Sequence, residues 1–284
     1  MRKIGIDVGG TTLKLGVVEN DRDIIDRDTR PSPHDPEEMA ATLYDMILAA
    51  RKRFGMLPAA ISTAGEIDGE GNITANQLGF SKAPVGSELF RRLGERIPIE
   101  NDGICALVAE HTAGALKGYD SALMITLGTG IGGGVIADGK PYRGFRGAHA
   151  ELGHMITHVG GKPCSCGQRG CWECYASASA LSEMAGGMKP RDVIDRVRRG
   201  EMADVWDAYT TEVAQGIIGL FSIFYPGVIA IGGGLSNAGE MVVGAIRDKV
   251  ESDPGYQLYY RPAKVVAAQF QNDAGILGAA ALAQ

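Results

Sequence analysis

The sequence predicts an α/β protein built from two related halves, and three observations predict it. An apolar strand, Lys3 to Val8, turns through Gly9-Gly10-Thr11-Thr12 into a second strand, Leu13 to Glu19. About 120 residues later, Ser121 to Leu127 turns through Gly128-Thr129-Gly130-Ile131-Gly132-Gly133-Gly134 into Val135 to Ala137, which repeats the design. Elsewhere short apolar strands alternate with segments carrying one apolar face at helical spacing, the pattern of sheets covered by helices. A chain of 284 residues can bury the core that two modest domains need.

The first turn is not the strand-to-helix glycine loop of a dinucleotide site or a P-loop, because β-type residues follow it and no Gly-Lys-Ser/Thr is present. Its backbone N–H groups and threonine hydroxyls can still face a phosphate, with Asp7 at the strand end holding a hydrated Mg²⁺. Gly9, Gly10, Thr11, Thr12 and Lys14 are therefore nucleotide candidates, although a plain hairpin with a turn aspartate explains the isolated motif equally well. A third strand is expected near Ile24. Asp35-Pro36 opens a helix whose apolar face is Met39, Leu43, Met46, Ile47 and Ala50.

Ala59 to Ser62 reads as a buried strand ending in the polar loop Ser62 to Asp68, followed by a turn and strand through Thr74 and then Asn76-Gln77-Leu78-Gly79-Phe80. Loops at the carboxyl ends of strands are where α/β sheets bind ligands, which makes Gly65 and Asn76 candidates; a turn-forming asparagine is the plainer reading. A helix from Ser87 to Arg96 leads to the strand Ile97 to Glu100, then Asn101-Asp102-Gly103 and a helix from Ile104 to Ala115. Asp102 there is either a helix cap or, on the same sheet edge as Asp7 and the Gly65 loop, a carboxylate able to accept a hydroxyl proton.

In the second half the sequence predicts helical stretches over Ala178 to Val197, broken near Gly186-Gly187, and from about Asp204 to Phe224. A strand, Val228 to Ile231, runs into Gly232-Gly233-Gly234, where the backbone can be approached closely; Gly233 and Gly234 suit the adenine end of a nucleotide, with loose turn chemistry as the alternative. Lys264 to Ala268 makes one more strand, and Asn272-Asp273-Ala274-Gly275 opens a last helix.

The densest chemistry lies between Gly147 and Cys174. His154, Cys164, Cys166 and Cys171 are ligands of the type and loop spacing that a closed tetrahedral structural zinc uses. A disulfide or redox switch is the alternative for such cysteines. Glu151 and Glu173 flank these ligands, so a metal would also fix two acceptors of hydroxyl hydrogen bonds. Cys105 reads as core, and Cys174 as a spare facing the helix that begins there.

Composition excludes several classes. A net charge of -6, with no run of Lys/Arg that stands out, gives no footprint for nucleic acid. Val213 to Gly239 is free of charge, but Tyr225-Pro226-Gly227 interrupts it, so it reads as a buried helix and strand rather than a membrane span. The apolar stretch at the N-terminus is too short for a signal peptide, and with a thiol-rich metal loop a reducing cytoplasm is expected.

Together, Asp7-Val8-Gly9-Gly10-Thr11-Thr12, Glu100-Asn101-Asp102, Leu127 to Gly134, Glu151-Leu152-Gly153-His154 and Cys164-Ser165-Cys166-Gly167-Gln168-Arg169-Gly170-Cys171 resemble the ROK family of bacterial sugar kinases, over essentially the whole chain. The resemblance implies an actin-like ATPase (ribonuclease H-like) fold with two α/β domains flanking a cleft, here residues 1–116 plus 272–284 and residues 117–271. It implies ATP with Mg²⁺ phosphorylating a hexose hydroxyl, usually at C6, and a homodimer or dimer of dimers. Carried over by position, Asp102 would be the base. Asn101, Glu151, His154 and Glu173 would hold the sugar, beside Gly65, Asn76 and Asp102 read above from the strand-end loops. The nucleotide candidates are those read from the strand end and the glycine turns: Asp7, Gly9, Gly10, Thr11, Thr12, Lys14, Gly128, Thr129, Gly130, Gly132, Gly233 and Gly234. His154 with Cys164, Cys166 and Cys171 would hold Zn²⁺, one imidazole serving metal and sugar through its two nitrogens.

Two positions depart from the family pattern. Ala75 replaces the usual proline before Asn76, and His149 stands where small residues are usual. Retention of Glu151 favours a glucose-like substrate over N-acetylmannosamine. The competing expectations are an N-acetylhexosamine kinase, polyphosphate as donor, a sugar-responsive repressor, and a sugar sensor without catalysis. The repressor would need a helix-turn-helix ahead of Lys3, where no room is left.

Overall fold

The structure, a computed structural model, describes residues 1–145 and 150–284. Gly147 and Ala148 lie outside it, as does the expectation about His149. The described chain divides into two compact units, Met1–Gly114 with Asn272–Gln284, and Ala115–Gln271.

In the first unit β1 (Arg2–Val8), β2 (Thr12–Glu19) and β3 (Asp23–Pro31) run antiparallel to one another. Helix α1 (Pro36–Phe54) starts where the Asp35 carboxylate accepts from the backbone N–H of Glu37 and Glu38, at 2.9 and 3.0 Å, and stops at Gly55. Strand β4 (Ala59–Thr63) pairs parallel to β1. A small sheet follows, made of β5 (Glu66–Ile67), β6 (Ile73–Ala75) and β7 (Phe80–Ala83), then α2 (Val85–Leu93). Strand β8 (Ile99–Asn101) pairs parallel to β4 and runs directly into α3 (Asp102–Ala113). The main sheet has the order β3-β2-β1-β4-β8. Ile4, Ile6 and Val8 of β1 bury against the Met39, Leu43, Met46 and Ile47 face of α1, as the spacing of those residues requires.

The second unit repeats this order. Strands β9 (Ala122–Leu127), β10 (Ile131–Ala137) and β11 (Lys140–Pro141) are antiparallel. Helices α4 (Glu173–Ala176), α5 (Ala178–Met184), α6 (Pro190–Arg198) and α7 (Ala203–Phe224) come next. Strand β12 (Val228–Gly232), α8 (Glu240–Ser252) and β13 (Lys264–Ala267) complete a sheet of order β11-β10-β9-β12-β13. Position for position this matches the first sheet, so the duplication read from two glycine turns extends to whole sheets. Helix α9 (Ala274–Leu282) then returns to the first unit.

Three expectations change. The second glycine turn is only Gly128-Thr129-Gly130, because Gly132, Gly133 and Gly134 already pair with Thr126, Ile125 and Met124 in the β9–β10 ladder. Helix α3 starts at Asp102 rather than Ile104. Helix α8 was not expected, although Val242, Val243, Ile246 and Val250 have helical spacing and are fully buried. The uncharged stretch from Val213 does split into α7 and β12. Among the described residues no helix is long and apolar enough to cross a membrane.

Candidate functional site

In the first unit, parallel pairing brings the carboxyl ends of β1, β4 and β8 to one edge, with Asp7 beside Ser62 and Ser62 beside Glu100. The Ser62 hydroxyl, fully buried, donates to Asp7 Oδ1 at 3.1 Å. Burial pushes the Asp7 carboxyl above its ordinary value; the Ser62 hydrogen bond and the Lys14 charge opposite it in the ladder pull it down, and the Asp102 charge pushes it up. Asp7 and Asp102 are thus near enough for one carboxylate to oppose ionisation of the other.

That shift carries a sign for stability. The folded chain binds the Asp7 proton more tightly than the unfolded chain, so this contribution is greatest below pH 3.8 and declines as pH rises through the higher folded value. At neutral pH the ionised Asp7 therefore costs stability. Asp7→Asn is expected to melt a few degrees higher than the wild type at neutral pH, to lose that advantage below pH 3.8, and to be nearly inactive; paired melting curves and rates check it.

Asn101 ties three elements together. Its Oδ1 accepts from the N–H of Gly103 at 2.9 Å and of Ile104 at 3.4 Å, capping α3, while Nδ2 donates to the Gly65 carbonyl at 3.0 Å. Gly65 has φ +92°, and a side chain there would run into the backbone of Thr74 and Ala75. Expected as sugar residues, Gly65 and Asn101 are first of all what shapes this loop, and the second Nδ2–H is what Asn101 has left to offer. Asp102 is exposed at the first position of α3, its Oδ1 accepting from Gly103 N–H at 2.8 Å. Asn76 is exposed in the 3₁₀ turn Asn76–Leu78. Gly10 lies against Gln77 of that turn, so the Gly9-Gly10-Thr11 turn and the Asn76 loop are neighbours. Thr12 is already in β2, paired with Pro31.

In the second unit, His154, Cys164, Cys166 and Cys171 offer ligand atoms that all lie within 4.8 Å of one another. A tetrahedral ion with bonds of about 2.3 Å to sulfur and 2.0 Å to nitrogen has sulfur–sulfur edges of about 3.8 Å and sulfur–nitrogen edges of about 3.5 Å. Cys166 and Cys171 Sγ are 3.6 Å apart, and Cys164 Sγ is 3.6 Å from His154 Nδ1. The donor set fits such an ion. Burial pushes the Cys171 thiol up to about 12, whereas the Gln168 backbone N–H holds Cys166 below its ordinary value, so a bound cation has a proton to displace at Cys171. Cys174 lies outside the group, its thiol pointing to the Pro163 carbonyl at 3.7 Å, and Cys105 is fully buried.

Glu173 links this cluster to the glycine turn. Its Oε1 is 3.1 Å from Cys164 Sγ and 3.5 Å from His154 Nδ1, and its Oε2 accepts from Ile131 N–H at 3.4 Å. A side chain at Gly130 would strike Oε2. The turn is anchored from the other side by α5, since Ala178 N–H donates to Gly128 O at 2.8 Å and the Ser179 hydroxyl to Thr129 O at 2.7 Å. Glu151 is exposed and precedes the 3₁₀ turn Leu152–His154.

A cavity of about 660 Å³ opens beside the same turn, lined by Gly128, Thr129, Arg191, Arg198, Gly234 and Asn237 among others. Gly234 lines this cavity. Gly233 has φ +86°, and a side chain there would meet the Leu127 backbone; Gly132 lies in β10, paired with Thr126. Arg191, Arg198 and Asn237 were missed, because nothing local marks them. The only available signal was Pro190, which fits the first turn of a helix after the Gly186-Gly187 break and so predicts α6, but not what α6 faces.

The family model described as "ROK family" matches residues 3–284. The chain belongs to the ROK family. A glucokinase of Thermotoga maritima is 33% identical to this ROK-family chain, over 99% of it and 97% of the relative. The ROK hexokinase of Thermus thermophilus superposes with a TM-score of 0.89 at 32% identity, covering 100% of this chain and 98% of that one. A ROK glucokinase of Streptomyces griseus, solved with glucose and AMPPNP, superposes with a TM-score of 0.81 at 30% identity, over 100% and 99% of the two chains. The fold of this ROK-family chain is thus the actin-like ATPase fold.

Proposed function

We propose that this chain is an ATP-dependent hexose kinase that phosphorylates the C6 hydroxyl of glucose or a close relative. The observation that carries the reading is one edge of the first sheet, where Asp7 near the end of β1 and Asp102 just after β8, with β4 between the two strands, are close enough for their charges to interact. Phosphoryl transfer asks little covalent chemistry of a protein; it needs donors on the phosphates, a cation, and a carboxylate at the attacking hydroxyl. The glucokinase of Thermotoga maritima and the glucose-bound and AMPPNP-bound glucokinase of Streptomyces griseus support sugar and nucleotide as the two substrates.

In this reading Asp102 accepts the proton of the sugar hydroxyl as it attacks. Asn76, Asn101, Glu151, His154 and Glu173 orient the sugar through its other hydroxyls. The Gly9-Gly10-Thr11 and Gly128-Thr129-Gly130 turns, with Thr12 and Lys14, take the phosphates, and the 660 Å³ cavity takes the nucleoside. Asp7 would hold Mg²⁺ through water, an ion that offsets charge on the transferring group. His154, Cys164, Cys166 and Cys171 would hold a structural Zn²⁺, which keeps the Glu173 wall in place and, bound through His154 Nδ1, leaves Nε2 to the sugar. The five free cysteines suit a reducing compartment, the cytoplasm.

A screen of glucose, mannose, fructose, allose, N-acetylglucosamine and N-acetylmannosamine with ATP, scored as kcat/KM by ADP release, tests the substrate class. Glucose is expected to lead N-acetylmannosamine by at least about tenfold, because Glu151 is retained. The opposite order would move the assignment to an N-acetylhexosamine kinase.

A further inference from the structure

Three residues between β3 and α1, Ser32-Pro33-His34, have no role in the function proposed above, yet they hold both loops that it uses beside the sheet edge of the first unit. Ser32 is 8% exposed; its hydroxyl donates to the Gly9 carbonyl at 2.6 Å and its N–H to the Thr11 carbonyl at 3.0 Å. The Gly9-Gly10-Thr11 turn is thus gripped by two of its carbonyl groups. Two residues further on, His34 Nδ1 lies 3.2 Å from the Leu78 carbonyl in the Asn76 loop. A carbonyl only accepts, so Nδ1 carries the proton in this bond.

The segment is a short strap with both ends fixed. Pro31 before it pairs with Thr12 in the β2–β3 ladder, Asp35 after it caps α1, and Pro33 locks one backbone angle between them. From Ser32 to His34 the chain spans at most about 7 Å, a link too short to change length much. The Asn76 loop needs such a tie. Its entry residue, Ala75, has φ -145°, a value a proline ring does not reach, so nothing covalent stiffens the entrance. Within the loop Asn76, Gln77 and Gly79 are exposed, while Leu78 is 1% exposed. His34 therefore bonds the residue through which the loop is rooted in the core. Gly10 of the turn also backs onto Gln77, since a Cβ at Gly10 would stand 3.5 Å from Gln77 Cβ.

We propose, resting on the kinase reading for what each loop binds, that Ser32 and His34 are positioning residues that make nucleotide and sugar binding cooperative. Phosphates that order the Gly9-Gly10-Thr11 turn order Ser32 with it, and the strap carries that restraint to Leu78. A sugar arriving second then meets an Asn76 loop whose ordering cost is already met. Linkage makes the effect reciprocal, so the sugar favours the nucleotide by the same factor.

Calorimetric titration of the full chain with glucose, with and without saturating AMPPNP and Mg²⁺, reads that factor. Glucose should bind the AMPPNP complex about tenfold more tightly than it binds the free wild type, and AMPPNP should gain equally from saturating glucose. Ser32→Ala and His34→Ala should each bring the factor to within about twofold of one. Because the strap works only with both ends tied, the double variant should do no more than either single one. Ser32→Thr keeps the hydroxyl and His34→Asn places an amide N–H near the position of Nδ1, so both should restore the factor; a merely structural role would change the affinities of the free chain and leave their coupling alone. His34 is exposed, so His34→Ala tests the strap even where loss of the buried Ser32 hydroxyl unfolds the chain. A wild-type factor near one, or a factor that survives His34→Ala, overturns the strap and leaves the kinase reading standing. A wild type that binds neither glucose nor AMPPNP overturns both.

Discussion

Asp102→Asn should lower kcat by about 10²- to 10⁴-fold while the affinities for sugar and ATP change little. Asparagine has the size and the Oδ1 acceptor of aspartate, so the bond from Gly103 N–H and the start of α3 survive. What is lost is the capacity to take a proton. The side chain is exposed and the substitution keeps its size, so melting temperature should move by little. Coupled ADP release with saturating glucose and ATP separates the two cases. A kcat that survives unchanged removes Asp102 as the base; a large rise in KM with unchanged kcat makes it a sugar ligand only.

Cys164→Ser should cost the chain its metal and, with it, the sugar site. Elemental analysis of the purified wild type should give about one zinc per chain, falling toward zero in the variant. The sugar KM should rise by about ten- to a hundredfold, while nucleotide affinity falls much less. The asymmetry follows from where Glu173 sits. Its Oε1 lies between Cys164 Sγ and His154 Nδ1, so loosening the cluster frees the carboxylate that faces the sugar in this reading. The Gly128-Thr129-Gly130 turn is also fastened through Ala178 and Ser179, which owe nothing to the metal. Chelator-treated wild type that keeps its metal-loaded sugar affinity would show that the cluster does not support the pocket.

Much of this was legible in the residues, and the parts that were not share a cause. Strand ends, helix faces and the duplicated glycine turns are local patterns, and the structure places β1, β2, α1, β4, β9 and β12 within two residues of expectation except where pairing extends a strand. The Cys164/Cys166/Cys171 spacing is local as well, and its sulfur atoms converge as a metal site requires. Register is not local. That Gly132 to Gly134 belong to β10 is decided by their partners on β9, and no property of three consecutive glycines announces it. The resemblance makes Asn101 a sugar ligand and the local pattern offers Asp102 as the cap, but only the fold reveals that Asn101 caps α3 and that its amide also holds the Gly65 carbonyl 36 residues away. Arg191 and Asn237 reach one cavity from α6 and the turn after β12, a meeting that requires the whole second sheet to be in place. The buried Ser62 hydroxyl on Asp7 is of the same kind, set by parallel pairing of β1 and β4.

The measurement that bears most directly on the central claim is identification of the product formed from glucose and ATP by the metal-loaded wild type. Phosphorus NMR of the reaction mixture should show ADP and a single phosphate monoester, coupled to the C6 protons of glucose, appearing in equal amounts. ADP that accumulates together with inorganic phosphate while the sugar is unchanged, or no ADP with any hexose offered, would contradict it.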